Sequence, residues 1–285
     1  MFLKKKSVSL TLILGGVFLF GPLQSTMAQE GKGSAEKGQS SAGTEYRDLT
    51  PVPSPSGKKL GDQIHYVETS YSNINKLLWL LGVYKTDNKE DVESYIKISE
   101  CNLYLKYYRD DFEWRKVLLA SQSYLEKYSP GFSNYFEIVQ PLRIDRYDFD
   151  LKGFMLDPPG ELANVGALQM YGMSGGSNTE CGNIAVGSAK YTGSAVLKLK
   201  SPINISYIRI DPELAKEYLR YIEGKQGDLN DKPAYIRYRV RVDRYITTQN
   251  IDRVGRSHIF SGKVLQVDIF ADREMFLPLF SQNFQ

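Results

Sequence analysis

Three sets of polar residues in this 285-residue sequence have types and spacings that could do chemistry. The first is cationic. Arg237, Arg239 and Arg241 alternate with Ile236, Tyr238, Val240 and Val242, the period of two that puts the guanidinium groups on one face of a strand and the apolar residues on the other. A row of planar guanidinium forks matches phosphate and carboxylate groups. Lys198, Lys200 and Arg209 lie on alternating stretches of their own and join the same face if those strands pair. Such a face would bind an anionic component of the cell envelope or a protein partner. Equally, it could be a solvated sheet face whose arginines pair with Asp243 or Asp268, each pair contributing about 0.2–1 kcal/mol.

The second set is nucleophilic. Gly172-Met-Ser-Gly-Gly176 satisfies G-x-S-x-G, and Ser174 with His258 as base would make a secreted hydrolase. A nucleophile elbow needs a strand before it and a helix after it, and Ser177-Asn-Thr-Glu-Cys-Gly182 is a poor helix start. A trypsin-like arrangement would need His65 as base and an aspartate where Met173 stands. A surface loop is therefore expected here. The third set, Asp110, Asp111 and Glu113, could divide acid and base roles as glycosidase carboxylates do. Those residue types are also what the positive end of a helix favours in its first turn.

Cys101 and Cys181 are the two cysteines of the chain. In an oxidising compartment an even count favours a disulfide, which would stabilise the fold by about 2–4 kcal/mol. Neither they nor His65 and His258 have metal-ligand spacing, and no P-loop pattern occurs. No cofactor is expected.

The compartment follows from the N-terminus. Lys4, Lys5 and Lys6 precede an apolar run from Val8 to Phe20 and the small residues around Thr26-Met-Ala28, the three parts of a secretory signal over residues 1–28. The expected mature start is Gln29, in the periplasm or outside the cell. Its removal takes three lysines and no acidic residue from a formal charge of +3, leaving 3 − 3 = 0. Nucleic acid, which calls for excess cations, is excluded as a partner class. No later stretch is apolar enough to span a bilayer. Residues 29–60, Gly-, Ser- and Pro-rich, cannot bury enough to order themselves and read as a tether.

The elements that must position the three sets can be taken in order. Ser72 to Gly82 reads as a capped helix with Ile74, Leu77, Leu78 and Leu81 inward, and a second helical region runs from Asp87 to Tyr108. A third helix starts at Asp110 and ends at Ser129-Pro-Gly131. Residues 136–149 form a strand with Pro141 at an edge or bulge. Its inward parity changes part way along, which a bulge would cause. Asp110-Asp-Phe-Glu-Trp114 and Arg146-Tyr-Asp-Phe-Asp-Leu-Lys-Gly-Phe154 together resemble a group of secreted bacterial proteins of unknown function, a resemblance that covers most of the mature chain and implies no activity. After the loop, strands at 195–200 and 205–210 are followed by a helix from Asp211-Pro-Glu213 to Gly224, the arginine strand at 234–247 with Ile246 inward, and a strand at 262–270 with Leu265, Val267 and Ile269 inward. Helices first and strands later, with little βαβ alternation, predict an α+β fold: a helical N-terminal half packed on a mainly antiparallel sheet from the C-terminal half, in one domain over 61–285.

Overall fold

The protein is described by a computed structural model over residues 64–170, 194–226, 232–251 and 255–284. The expected signal peptide, the tether, Ser174 and Cys181 lie outside the described residues.

The sheet is built on one long hairpin. Strand β7 (Pro233–Ile251) pairs antiparallel with β8 (Gly255–Phe270) along nearly its whole length. β2 (Tyr135–Asp148) adds to the other edge of β7, and β3 (Gly153–Leu156) and β6 (Tyr207–Arg209) follow it. On the far side, β5 (Ser194–Ile203) pairs parallel with the first half of β8, and β4 (Val165–Met170) pairs with β5. β9 (Pro278–Asn283) takes the second half of β8, and β1 (Val67–Glu68) runs parallel to the start of β2. The order is β4-β5-β8-β7-β2-β3-β6, mostly antiparallel with two parallel pairs. The sheet curls enough that the flanking strands β6 and β9 approach each other.

Bulges decide which side chains face in. Ala234, Ile236, Tyr238, Val240 and Val242 are all buried, as the alternation of β7 requires. A register shift between Val242 and Arg244 then inverts the parity, so Tyr245 packs on the core and Ile246 stands 40% exposed, against expectation. A second shift opposite Arg239 and Val240 makes Leu265 the extra residue of β8, and Val264 is buried in its place. In β2 the predicted switch occurs: Leu142 and Ile144 face in, the register shifts, and Tyr147 packs on the core from the opposite parity. Pro141 sits in a paired row opposite Tyr235, between the stretches of β2 that β1 and β3 occupy. Gly262 is required where β8 crosses between β5 and β7, because a Cβ there would run into the Arg241 carbonyl oxygen and lie 2.9 Å from Leu197 Cδ1.

Five α-helices complete the described fold. α1 (Tyr71–Leu80) is capped by Ser70, whose hydroxyl accepts from Asn73 N–H at 3.2 Å. Ser72, expected as the cap, is inside the helix and bonds Ser99. Gly82, at φ +69°, turns the chain out of it. The predicted helix from 87 to 108 is two: α2 (Lys89–Ser99), capped by Asn88, and α3 (Cys101–Tyr107), separated at Glu100. α4 (Asp111–Tyr128) starts at the Asp110 cap as expected. α5 (Pro212–Gln226) follows the predicted Asp211 cap, which accepts from Glu213 N–H at 2.9 Å.

The buried side chains form two clusters. The larger joins the inward residues of the sheet with Ile74, Leu77, Leu78 and Leu81 around α1 and with Ala215, Tyr218 and Ile222 of α5. The smaller consists of Trp79, Val92, Tyr95, Ile96 and Leu125. α1 thus contributes side chains to both clusters, Leu77 to the larger and Trp79 to the smaller.

Candidate functional site

The arginine row is present on one face of β7, and every member has a carboxylate partner. Arg237 donates to Asp268 Oδ2 from Nη2 at 2.8 Å and Nε at 3.2 Å, and its Nη1 lies 3.8 Å from Glu137. Arg239 Nε donates to Glu137 at 2.8 Å and its Nη1 to Gln266 Oε1 at 3.0 Å. Arg241 Nε donates to Asp243 at 2.7 Å, and Lys200 Nζ sits 2.8 Å from the other oxygen of Asp243, off the line of a hydrogen bond. The carboxylates are fixed in turn. Burial alone would raise the Asp268 carboxyl, but hydrogen bonds from Ser281, Arg237 and Gln266 hold it below the usual carboxylate range. Two rings cover the row, Phe270 at 4.9 Å from the Arg237 guanidinium and Tyr66 at 5.1 Å from that of Arg239. Side-chain exposures of 17–27% fit a covered network. Lys198 is exposed on β5, while Arg209 is exposed on β6, three strands beyond β7. The six cations therefore do not form one patch.

Asp110 is spent as a helix cap, accepting from Phe112 N–H and Glu113 N–H, and Glu113 pairs with Lys116 at 2.7 Å. His258 is buried in β8, with Nδ1 2.9 Å from Thr248 Oγ1, which is 2.6 Å from Tyr245 OH. Burial and the nearby Arg256 guanidinium push the imidazole down from 6.5 to about 4. Among the described residues a hydroxyl, Thr248 Oγ1, is the hydrogen-bond partner of the ring, and a hydroxyl supplies no negative charge to stabilise an imidazolium during general-base chemistry. Ser174 lies outside the described residues, and His65 is exposed near the start of them. Cys101 is buried at the start of α3. Among the described residues no group of His, Cys, Asp and Glu is arranged to hold a metal ion, and no helix is long and apolar enough to cross a membrane.

Two adjoining hollows in the helical block escaped the sequence patterns. One, of about 430 Å³, lies between the start of α2 and α4, with Val92, Trp114, Leu118 and Leu119 as apolar lining and Asp87, Lys89, Asp111 and Arg115 around it. The other, of about 470 Å³, is lined by Trp79, Tyr84, Lys85, Asp87, Glu126 and Ser129. Both include Thr86 and Asp87, so they adjoin there, one after the other along the groove that flanks α4. Only Ser121 and Leu125 of α4 are fully buried. The chain's two tryptophans, Trp79 and Trp114, stand one in each hollow. Trp79 meets Tyr84 edge to face at 5.8 Å, and its Nε1 is buried without a hydrogen-bond partner. Burial, with Asp91 close by, pushes the Tyr84 phenol up to about 12. The one sequence signal for this site was the placing of both tryptophans on helices.

No curated protein and no solved structure matches the chain. Both motifs that carried the resemblance, Asp110–Trp114 and Arg146–Phe154, fall within the one stretch that matches a family model. Residues 87–221 match the model of a family described as a domain of unknown function, DUF4852.

Proposed function

We propose that this is an exported, non-catalytic protein of the cell envelope that works by binding, and that an extended segment of a partner protein lies in the groove along α4. One observation carries the reading: the two hollows adjoin along α4 and hold both tryptophans over an apolar lining edged with charges of both signs. Concave apolar lining with a few polar groups is the usual form of a binding site. The 18 residues of α4 span about 27 Å at 1.5 Å each, the length of about eight extended residues. The arginine face is a weaker seat, since an anion would have to displace Asp268, Glu137 or Asp243 from hydrogen bonds already made. Export is supported by the lysines, apolar run and small residues of 1–28. We read the helical block as packed on the sheet through α1, whose two faces enter the two clusters.

The groove is tested by titrating random blocked octapeptide pools against the purified protein and following tryptophan fluorescence. Binding should shift the emission, and Leu119→Glu, which changes an exposed groove residue, should remove the response while circular dichroism stays unchanged. A response that survives Leu119→Glu, or none in the parent, sinks the reading. Export is checked separately: N-terminal sequencing of protein recovered outside the cytoplasm should begin at Gln29.

A further inference from the structure

Resting on the groove reading above, we propose that the hollow floored by Trp79 and Tyr84 selects a cationic side chain, arginine or lysine, in the bound segment, while the Trp114 hollow takes an apolar one. The two halves of the groove differ in chemistry. Around Trp114 the charges balance, Lys89 and Arg115 against Asp87 and Asp111, and Val92, Leu118 and Leu119 supply apolar surface. Around Trp79, Glu126 joins Asp87, the carboxylate shared by both hollows, against a single cation, Lys85. Glu126 is steadied one turn along α4 by the Gln122 amide at 3.4 Å.

Long cationic side chains are amphipathic, with an apolar stem and a charged head. The Trp79–Tyr84 floor offers the stem an aromatic surface, and the two carboxylates meet the head; bidentate pairing would favour arginine. The surface tyrosines of the same helical block show what this chemistry looks like when satisfied internally. Lys97 lies over Tyr104, Lys106 over Tyr107, Arg109 over Tyr108 and Lys127 over Tyr128. Among the described residues no cation lies over Trp79. The second, independent observation is the Trp79 indole N–H, in a side chain 4% exposed, which has no acceptor. A buried donor left unpaired is costly, so the packing beside this hollow is incompletely satisfied in the protein alone.

The test uses the full mature protein and blocked octapeptide pools, random except for one fixed residue: arginine, norleucine or glutamate. Affinity is read from tryptophan fluorescence in the parent, in Trp114→Phe, which leaves Trp79 as reporter, and in the double variant Asp87→Asn/Glu126→Gln. Asp87 and Glu126 are exposed, and neither is a helix cap, so the double variant should fold. The arginine pool should bind about tenfold more tightly than the norleucine pool, and the glutamate pool most weakly. That preference should vanish in the double variant. Equal binding of the arginine and norleucine pools, or a preference that survives in the double variant, overturns the cationic subsite and leaves the groove standing. Failure of all three pools to move the fluorescence overturns the groove itself.

Discussion

Replacing His258 by glutamine should make the protein less sensitive to acid. The imidazole is buried in β8, bonded to Thr248 and close to the rings of Tyr245 and Phe260. Its folded-state value of about 4, against an ordinary 6.5, means that the unfolded chain binds a proton that the folded chain refuses in the interval between. Stability from this group is therefore fully present above pH 6.5 and falls as pH drops towards 4. Linkage gives a loss of about 2 kcal/mol between pH 7 and pH 5, rising to about 3 kcal/mol below pH 4. Both tryptophans lie in the helical block, so urea unfolding should be followed by far-UV circular dichroism, which reports the sheet as well. Carboxylates titrating over the same interval contribute equally to parent and variant and cancel in the difference. The parent's advantage over His258→Gln should shrink by about 2 kcal/mol from pH 7 to pH 5. An advantage independent of pH would show that the folded protein accommodates the imidazolium, and the account of its burial would be wrong.

Two further outcomes follow from the sheet and one from the cysteines. Arg237→Met leaves Asp268, 4% exposed, without its guanidinium and should cost about 2–4 kcal/mol; a loss under about 0.5 kcal/mol would make the network decorative. Gly262→Ala forces a Cβ against the Arg241 carbonyl oxygen and should cost about 3 kcal/mol in urea; unchanged stability would refute the close crossing of β7 and β8. Thiol titration of the unfolded, unreduced mature protein should find no free cysteine and, after reduction, both Cys101 and Cys181; two thiols before reduction would end the disulfide proposal.

Much of the fold is legible in the sequence because alternation and caps act locally. Asp110 and Asp211 cap the helices they announce, Leu197 is buried beside exposed Lys198, and the parity change in the 136–149 strand signals its bulge. Ile246 and Leu265 depart from their expected faces for one reason: Ile246 follows a register shift and Leu265 is the extra residue of another, and the residues themselves announce neither. The split at Glu100 is likewise invisible, since helix-forming residues continue on both sides of it. The arginine row is legible as a row, but not its partners. Glu137 is distant in sequence and reaches Arg239 only because β2 lies beside β7. The groove is the extreme case. It depends on how the α1–α2 connection, around residues 84–89, lies against α4, and no pattern within either segment encodes that.

Because β7 and β8 lie between β5 and β2, the stretch 87–221 holds both flanks of the sheet and neither of its middle strands. A chain cut to those limits would leave Leu197 on one side and Phe136 and Ile138 on the other without the strands that join them, and would lack the α1 side chains of the same core. What is inherited as a recognisable segment is thus smaller than what must fold as a piece, and any expression clone drawn to the limits of likeness would be expected to yield insoluble chain.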